Sequence, residues 1–452
     1  MMSMTLTVLM VLVGVFIGLN YFQGPKLDEV IADTSSIAST SNQRVRLVAS
    51  QALARVEARQ VRFEPAAQFT VTTSGTTIEI MLTEPLDFAT DYTLTVSGVT
   101  SRYIDRAVTF THSLRTPEAV VTFLDRADPL TEPGKEDAIR QVIVPDGDPV
   151  DLYRASGIEQ FTRIGPSLLV VTSTPSGGGA LDLIAEDGMT RERLLLGVDG
   201  VIGELQPSTT VGLVAFTVTA EVTDPLPRQS TVLYAVDLAG DHIVRAVTGL
   251  DGAPLEIFDS VIVPGGTLIA AQGVDETVTL VDLTGVAPAI PVGQFMSLRG
   301  VSPDGSQLLV GDIYSAITLT IADGTQTRLT IAPLNGTQPF IGDIVLTDQV
   351  GTRVEQLAIF DAVSGSFTSA IGFADDTQIR VIYETPGDSG SIDEFTVSPN
   401  GQYVAVATIP DVTSSVLDGA VADRRSTSIV TTIIEVATGR EVRTVSGFDL
   451  CW

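Results

Sequence analysis

The residues that could do chemistry in this chain are few, and their spacing argues against most of what they could do. Gly387-Asp388-Ser389-Gly390 sets a serine between glycines, as an exposed nucleophile would be. A nucleophilic serine needs a histidine base within hydrogen-bond reach and a carboxylate to orient that histidine. The chain has two histidines, His112 and His242, and neither lies in a matching context. Thr385-Pro386-Gly387-Asp388-Ser389-Gly390 therefore reads as a turn, since turn-forming residues cluster there. Paired carboxylates would suit glycoside hydrolysis. Asp237, Asp282, Asp323 and Asp361 recur at equivalent places. Recurrence assigns them to turns, because a catalytic pair breaks repeat symmetry. Asp146-Gly147-Asp148 offers too few oxygens for calcium and reads as a solvated turn. The lone Cys451 allows neither an internal disulfide nor a cysteine zinc site. The expectation is no catalytic residue, no cofactor and no metal, in a protein that is not an enzyme.

Composition narrows the partners. Against 55 acidic residues stand 26 basic ones, a net charge of −29, and only Lys26 and Lys135 among the basic ones are lysine. Such a field repels phosphate backbones, so no nucleic-acid partner is expected. Met4 to Phe22 carries no charge. At 1.5 Å per residue a helix of that length spans a hydrocarbon core. No Lys or Arg precedes the run and no Ala-x-Ala follows it, so an uncleaved anchor is favoured over a cleaved signal. The expected location is the cell membrane, crossed once through residues 4–22, with the bulk of the chain extracytoplasmic.

The elements downstream are read as strands. The Ser/Thr-rich stretch 25–42 has no apolar period and is expected to be a flexible tether. Ile78, Ile80 and Leu82, then Tyr92, Leu94 and Val96, alternate with polar residues, as half-buried strands do. Ala49 to Gln60 is rich in helix formers and is expected to be helical. From Leu86 to Val99 the run LDFATDYTLTVSGV, with Val61-Arg62-Phe63-Glu64-Pro65 before it and Phe110-Thr111 after it, resembles bacterial Ig-like domains of the surface-layer (SbsA) type. The resemblance implies a small β-sandwich over residues 43–117 that acts as a spacer.

Beyond Pro117 two turn signatures alternate. Ser302-Pro303-Asp304-Gly305 and Ser398-Pro399-Asn400-Gly401 precede apolar strands. Gly188, Gly240, Gly285, Gly324, Gly365 and Gly439 follow one another at 52, 45, 39, 41 and 74 residues, most after a strand ending in Asp or Glu. Proline sets φ for the first turn position and Asp-Gly or Asn-Gly supplies the positive φ that follows. Two hairpins make a four-stranded sheet, and a period of about 40–50 residues is that of a propeller blade. These signatures resemble TolB-like and WD40-like β-propellers of the bacterial envelope. The fold class expected is all-β: a transmembrane helix over 1–24, the Ig-like sandwich, and a six- to seven-bladed propeller over 118–452. Val120 to Leu124 and Ala138 to Val144 are expected as the last two strands of a further blade and Phe448 to Trp452 as its first, with completeness of that blade left open. The function expected is a membrane-anchored binding or scaffolding protein of the cell envelope, with a protein or glycan ligand on the propeller face. The alternative is a propeller-type hydrolase or lyase acting on cell-surface polysaccharide, marked by carboxylates that converge at the channel outside the repeat positions.

Overall fold

A computed structural model describes residues 24–128, 131–208, 210–223, 227–312, 315–334, 336, 338–347, 351–361, 365–387 and 389–452. The expected membrane segment 4–22 lies outside them, and no described helix is long and apolar enough to cross a membrane. The chain forms two compact units, one ending at Glu118 and one starting at Ala119.

The first unit is built from two sheets. One orders Leu27–Ala32, Arg44–Ala49, Thr77–Leu82 and Phe69–Ser74; the other orders Val61–Glu64, Asp91–Val99 and Val108–Arg115. Alternate residues of both sheets, among them Leu47, Ile78, Ile80, Phe63, Leu94 and Val96, meet in one core. Two expectations are corrected. The stretch 25–42 is not a tether, because Leu27–Ala32 pairs with Arg44–Ala49 and Ile37 is buried in the core. Ala49 to Gln60 is not helical beyond one 3-10 turn at Ala58–Gln60. Leu53 and Val56 are buried there, and the Ala54 amide donates to the Thr100 carbonyl (3.0 Å), so packing overrides propensity.

The second unit holds seven four-stranded antiparallel sheets. We number them as blades by their innermost strands: I, Ile158–Ile164; II, Val201–Ser208; III, Asp259–Ile262; IV, Ser297–Val301; V, Phe340–Leu346; VI, Ser391–Val397; VII, Phe448–Cys451. The second strands explain why blades stack. In blade I, Leu168 and Val170 face a core shared with blade VII, while Leu169 and Val171 face one shared with blade II. In blade IV, Leu308 and Val310 face blade III and Leu309 faces blade V. Both faces are apolar, so each blade must be covered on both sides, and a closed ring does that. The repeated turn is built as the sequence implies. Ser302 donates its hydroxyl to Asp304 (2.6 Å) and accepts the Gln307 amide, and Gly305 takes φ +72°. Ser398, Asn400, Gly401 and Tyr403 repeat that arrangement.

Blade VII joins the two ends of the unit. Phe448–Cys451 is its inner strand, followed outward by Ala119–Asp125, Asp137–Val144 and Val150–Ala155. Ala119–Asp125 and Asp137–Val144 are thus its second and third strands and not its last two. Val150–Ala155 supplies the fourth, so the blade is complete.

Residues 410–429, between the second and third strands of blade VI, brace this joint. The buried Arg126 pairs with the buried Asp418 and donates to the carbonyls of Ile158 (3.1 Å), Glu159 (2.8 Å) and Asp423 (3.0 Å). Its guanidinium lies 4.8 Å from the Phe448 ring centre, and that of Arg425 lies 5.5 Å from it. Removing one partner of a buried pair leaves an uncompensated charge, at a cost of about 3–5 kcal/mol. Arg126→Ala should lower propeller stability by that amount in urea titration. The fluorescence of Trp452, the one tryptophan of the chain, reports the joint, since its ring stacks on Tyr403 at 6.1 Å. An unchanged midpoint would show that the brace adds nothing.

Asp449 sits in the same joint at φ +56°, where its carboxylate accepts the Phe161 amide (3.4 Å). Burial, then the neighbouring Glu394 and Asp423, push its pKa up to about 7, against smaller opposing pulls from the Phe161 amide and then Arg425. A carboxyl raised on folding makes the folded state hold its proton longer. Stability then falls as pH rises from about 4 to about 7 and levels off above that. Asparagine tolerates the same backbone angle. Asp449→Asn should match the wild type near pH 4 and exceed it above pH 7 by on the order of 2 kcal/mol, part of the shift being screened at this half-buried side chain. Melting curves at pH 4.5 and 8 decide it; equal differences at both would remove the ionisation from the account.

Candidate functional site

The inner strands share an irregularity that determines what faces the axis. In blade I the register skips Glu159, in blade IV Arg299 and in blade VI Asp393. In blades II, V and VII two residues oppose one, and these pairs contain Glu204, Asp343 and Asp449. Blade III keeps its register and starts on Asp259. A bulge frees a residue from the ladder and re-aims its side chain. The bulges of six inner strands, and the start of the seventh, thus carry six carboxylates and one arginine.

Glutamines hold neighbouring strands in step. The Gln206 amide donates to the Ser260 carbonyl (2.8 Å) and its oxygen accepts the Ile262 amide (2.8 Å), tying blade II to blade III. Gln272, buried, donates to the Phe295 carbonyl (2.6 Å) and accepts the Leu298 amide (3.2 Å), tying III to IV.

The ring divides into a covered part and an open part. Glu159 is buried and accepts the amides of Val421 (2.9 Å) and Ala422 (2.9 Å) from the 410–429 insertion. Arg425 of that insertion pairs with Asp393 and with Glu394 (3.0 Å). On the other side Asp259, Arg299 and Asp343, from blades III, IV and V, line a cavity of about 470 Å³ together with Ser260, Ser297 and Gly342. Burial, then the charge of Asp343, raises the pKa of Asp259. Burial, then Asp259, raises that of Glu204. Arg299 is held by neutral acceptors: the Ser297 hydroxyl (3.2 Å) and the carbonyls of Gly342 (3.0 Å) and Asp312 (2.8 Å). Phe258, Met296 and Phe340, at or just before the starts of these three strands, are 73%, 55% and 65% exposed. A carboxyl biased toward its protonated form beside a solvent-exposed carboxylate is the arrangement general acid–base chemistry requires. Among the described residues no group of three His, Cys, Asp or Glu is placed to hold a metal.

The residues singled out in the sequence lie elsewhere. His112 is in a strand of the first unit, opposite Leu94. His242, in blade II, bonds Glu192 (3.0 Å) and the Leu238 carbonyl (3.0 Å), which raises its pKa. Ser389 lies between blades V and VI, where its carbonyl accepts the Val412 amide. Asp237, Asp282 and Asp323 accept amides two residues ahead, as turn residues do. The channel residues were missed, although a signal exists. Ile158-Glu159-Gln160-Phe161, Ile392-Asp393-Glu394-Phe395 and Phe448-Asp449-Leu450-Cys451 share an apolar, acidic, variable, apolar pattern. Asp259, Arg299 and Asp393 stand four to six residues before the turn prolines Pro264, Pro303 and Pro399.

No protein-family model matches the chain, and no curated protein matches it in sequence. Solved structures resemble it at low identity. TolB from Acinetobacter baumannii is 13% identical, covering 78% of this chain and 77% of that one, with a TM-score of 0.38. An oligogalacturonate lyase in complex with manganese is 12% identical over 65% and 88%, TM-score 0.43. The periplasmic gluconolactonase PpgL of Pseudomonas aeruginosa is 16% identical over 74% and 99%, TM-score 0.42. Likenesses this distant concern the fold, which the seven sheets show directly. A lyase and a lactonase stand among these similar structures, and the expectation of a non-enzyme is withdrawn. That expectation counted only the turn aspartates and overlooked the carboxylates of the inner strands.

Proposed function

We propose that this chain is a propeller-type hydrolase or lyase acting on polysaccharide, with its site at the channel mouth between blades III and V. The observation that carries this reading is the cavity shared by Asp259 and Asp343. Asp259, raised toward its protonated form, supplies the acid, and Asp343, exposed to solvent, supplies the base. Phe258 and Phe340 offer apolar ring faces on which a sugar can lie. The exposed apolar side chains of Phe258, Met296 and Phe340 favour a second reading, in which the propeller grips an envelope glycan or protein as a binding module. The uncharged run 4–22 supports an extracytoplasmic location at the membrane. The Ig-like resemblance supports a spacer role for the first unit.

Asp259→Asn and Asp343→Asn should each lower turnover of a responsive polysaccharide by about 100-fold or more. Released reducing ends measure cleavage, and ultraviolet absorbance of an unsaturated product separates elimination from hydrolysis. Both variants keeping more than a tenth of wild-type activity would move the chemistry elsewhere. Binding without cleavage in the wild type would leave the binding reading. Deleting residues 1–24 should shift the protein from the membrane pellet to the soluble fraction; retention in the pellet would end the anchor proposal.

A further inference from the structure

We propose that Arg299 makes the channel mouth selective for an acidic sugar, a uronate whose carboxylate seats on its guanidinium. The inference rests on the glycan reading above and deepens it by naming the substrate class. Six of the seven inner strands carry a carboxylate at a bulge or at the strand start, whereas the bulge of blade IV carries Arg299. Arg126, Arg353 and Arg425 are carboxylate-bound, by Asp418, by Glu355 and by Asp393 and Glu394, whereas Arg163, Arg380 and Arg443 are held, like Arg299, by neutral acceptors but line no such cavity with two carboxylates. Arg299 has only neutral partners among the described residues, although Asp259 and Asp343 line the same cavity.

A guanidinium has five N–H groups. Three of those on Arg299 go to Ser297, Gly342 and Asp312, all neutral acceptors, which fix the plane of the group without cancelling its charge. Two remain for a ligand. A carboxylate is the partner whose two oxygens match such a fork, through charge-assisted hydrogen bonds that a hydroxyl cannot equal. The bulge between Leu298 and Gly300 supplies the aim. The flanking acids oppose an anion least where they hold their protons, and Asp259 is biased that way. An acidic sugar therefore has a single seat on an otherwise acidic ring, and that seat sets its register against Asp259 and Asp343.

The test uses the full chain and oligomers of mannuronate, glucuronate and galacturonate, each paired with its methyl ester, and an oligoglucosamine as a cationic control. Turnover and calorimetric binding are measured for the wild type, Arg299→Gln and Arg299→Lys, with melting curves to confirm folding. The wild type should prefer one acid form over its ester by about tenfold or more, the worth of a charge-assisted bond. Arg299→Gln should bring that ratio close to one, and Arg299→Lys should keep part of it. Preference for esters or for oligoglucosamine, or an unchanged ratio in folded Arg299→Gln, overturns the inference. Ester turnover without acid preference sinks the inference alone. Acid-selective binding with no turnover sinks the hydrolase or lyase reading and leaves the role of Arg299 standing. Neither binding nor turnover on any oligomer overturns both.

Discussion

The contact on which the rest of the propeller depends is the pairing of Phe448–Cys451 with Ala119–Asp125. Every blade has two apolar faces, so an open row of blades would leave two of them in water. Each buried Leu, Ile or Val is worth about 1.5–3 kcal/mol, so exposing a face forfeits several such terms. The pairing that prevents this is short: Phe448 opposes Leu124 and Cys451 opposes Thr122, with a break between. Two backbone pairs are little to hold a ring of seven sheets. The polar brace around Arg126, Glu159, Asp418 and Arg425 fits that need, because it links blades I, VI and VII through groups far apart in the chain. Buried ions are a poor source of stability in themselves. Here each is paired and also bonded to backbone, which fixes geometry at the joint.

Closure in turn places the inner strands side by side around one axis. A residue squeezed out of a ladder by a bulge then has one open direction, toward that axis. Local register breaks that would be unremarkable in a single sheet become a ring of side chains once seven sheets are joined. The covered part of that ring has its charge met by Arg425 and by the amides of 421–422. In the open part Glu204, Asp259 and Asp343 have no such cover; burial, and after it the neighbouring carboxylate, raises the pKa values of Glu204 and Asp259. The cavity and the unusual electrostatics therefore have one origin.

The fold was legible because its causes are local and periodic. Pro303-Asp304-Gly305 and Pro399-Asn400-Gly401 set turns by backbone angle alone, and the apolar runs after them announce strands buried on both faces. The errors came where tertiary contacts decide. Leu27–Ala32 is a strand because Arg44–Ala49 offers it an edge, and Leu53 and Val56 leave the helix their neighbours favour because a core takes them up. The site was hidden for a different reason. A carboxylate two residues from a strand start looks the same in sequence whether it points to solvent or to a shared axis. Only the register between strands, a non-local quantity, separates the two.

Repetition offers a further way to separate fold from function. A residue that serves the blade should recur with the blade, and Asp237, Asp282 and Asp323 do, each bonding its own turn. A residue that serves a ligand has no reason to recur, since a ligand lacks the sevenfold pattern of its host. By that criterion the six axial carboxylates are ambiguous: aspartate tolerates the positive φ seen at Asp449, and acidic residues remain soluble at a channel mouth. Arg299 is not ambiguous in this way. It is a cation where the other inner strands carry a carboxylate, draws its support from Ser297, Asp312 and Gly342, and lines the cavity between blades III and V. Stability of the blade needs none of these features, because blades II and VI are built without them, and the departure from the repeat is what assigns the residue to a substrate.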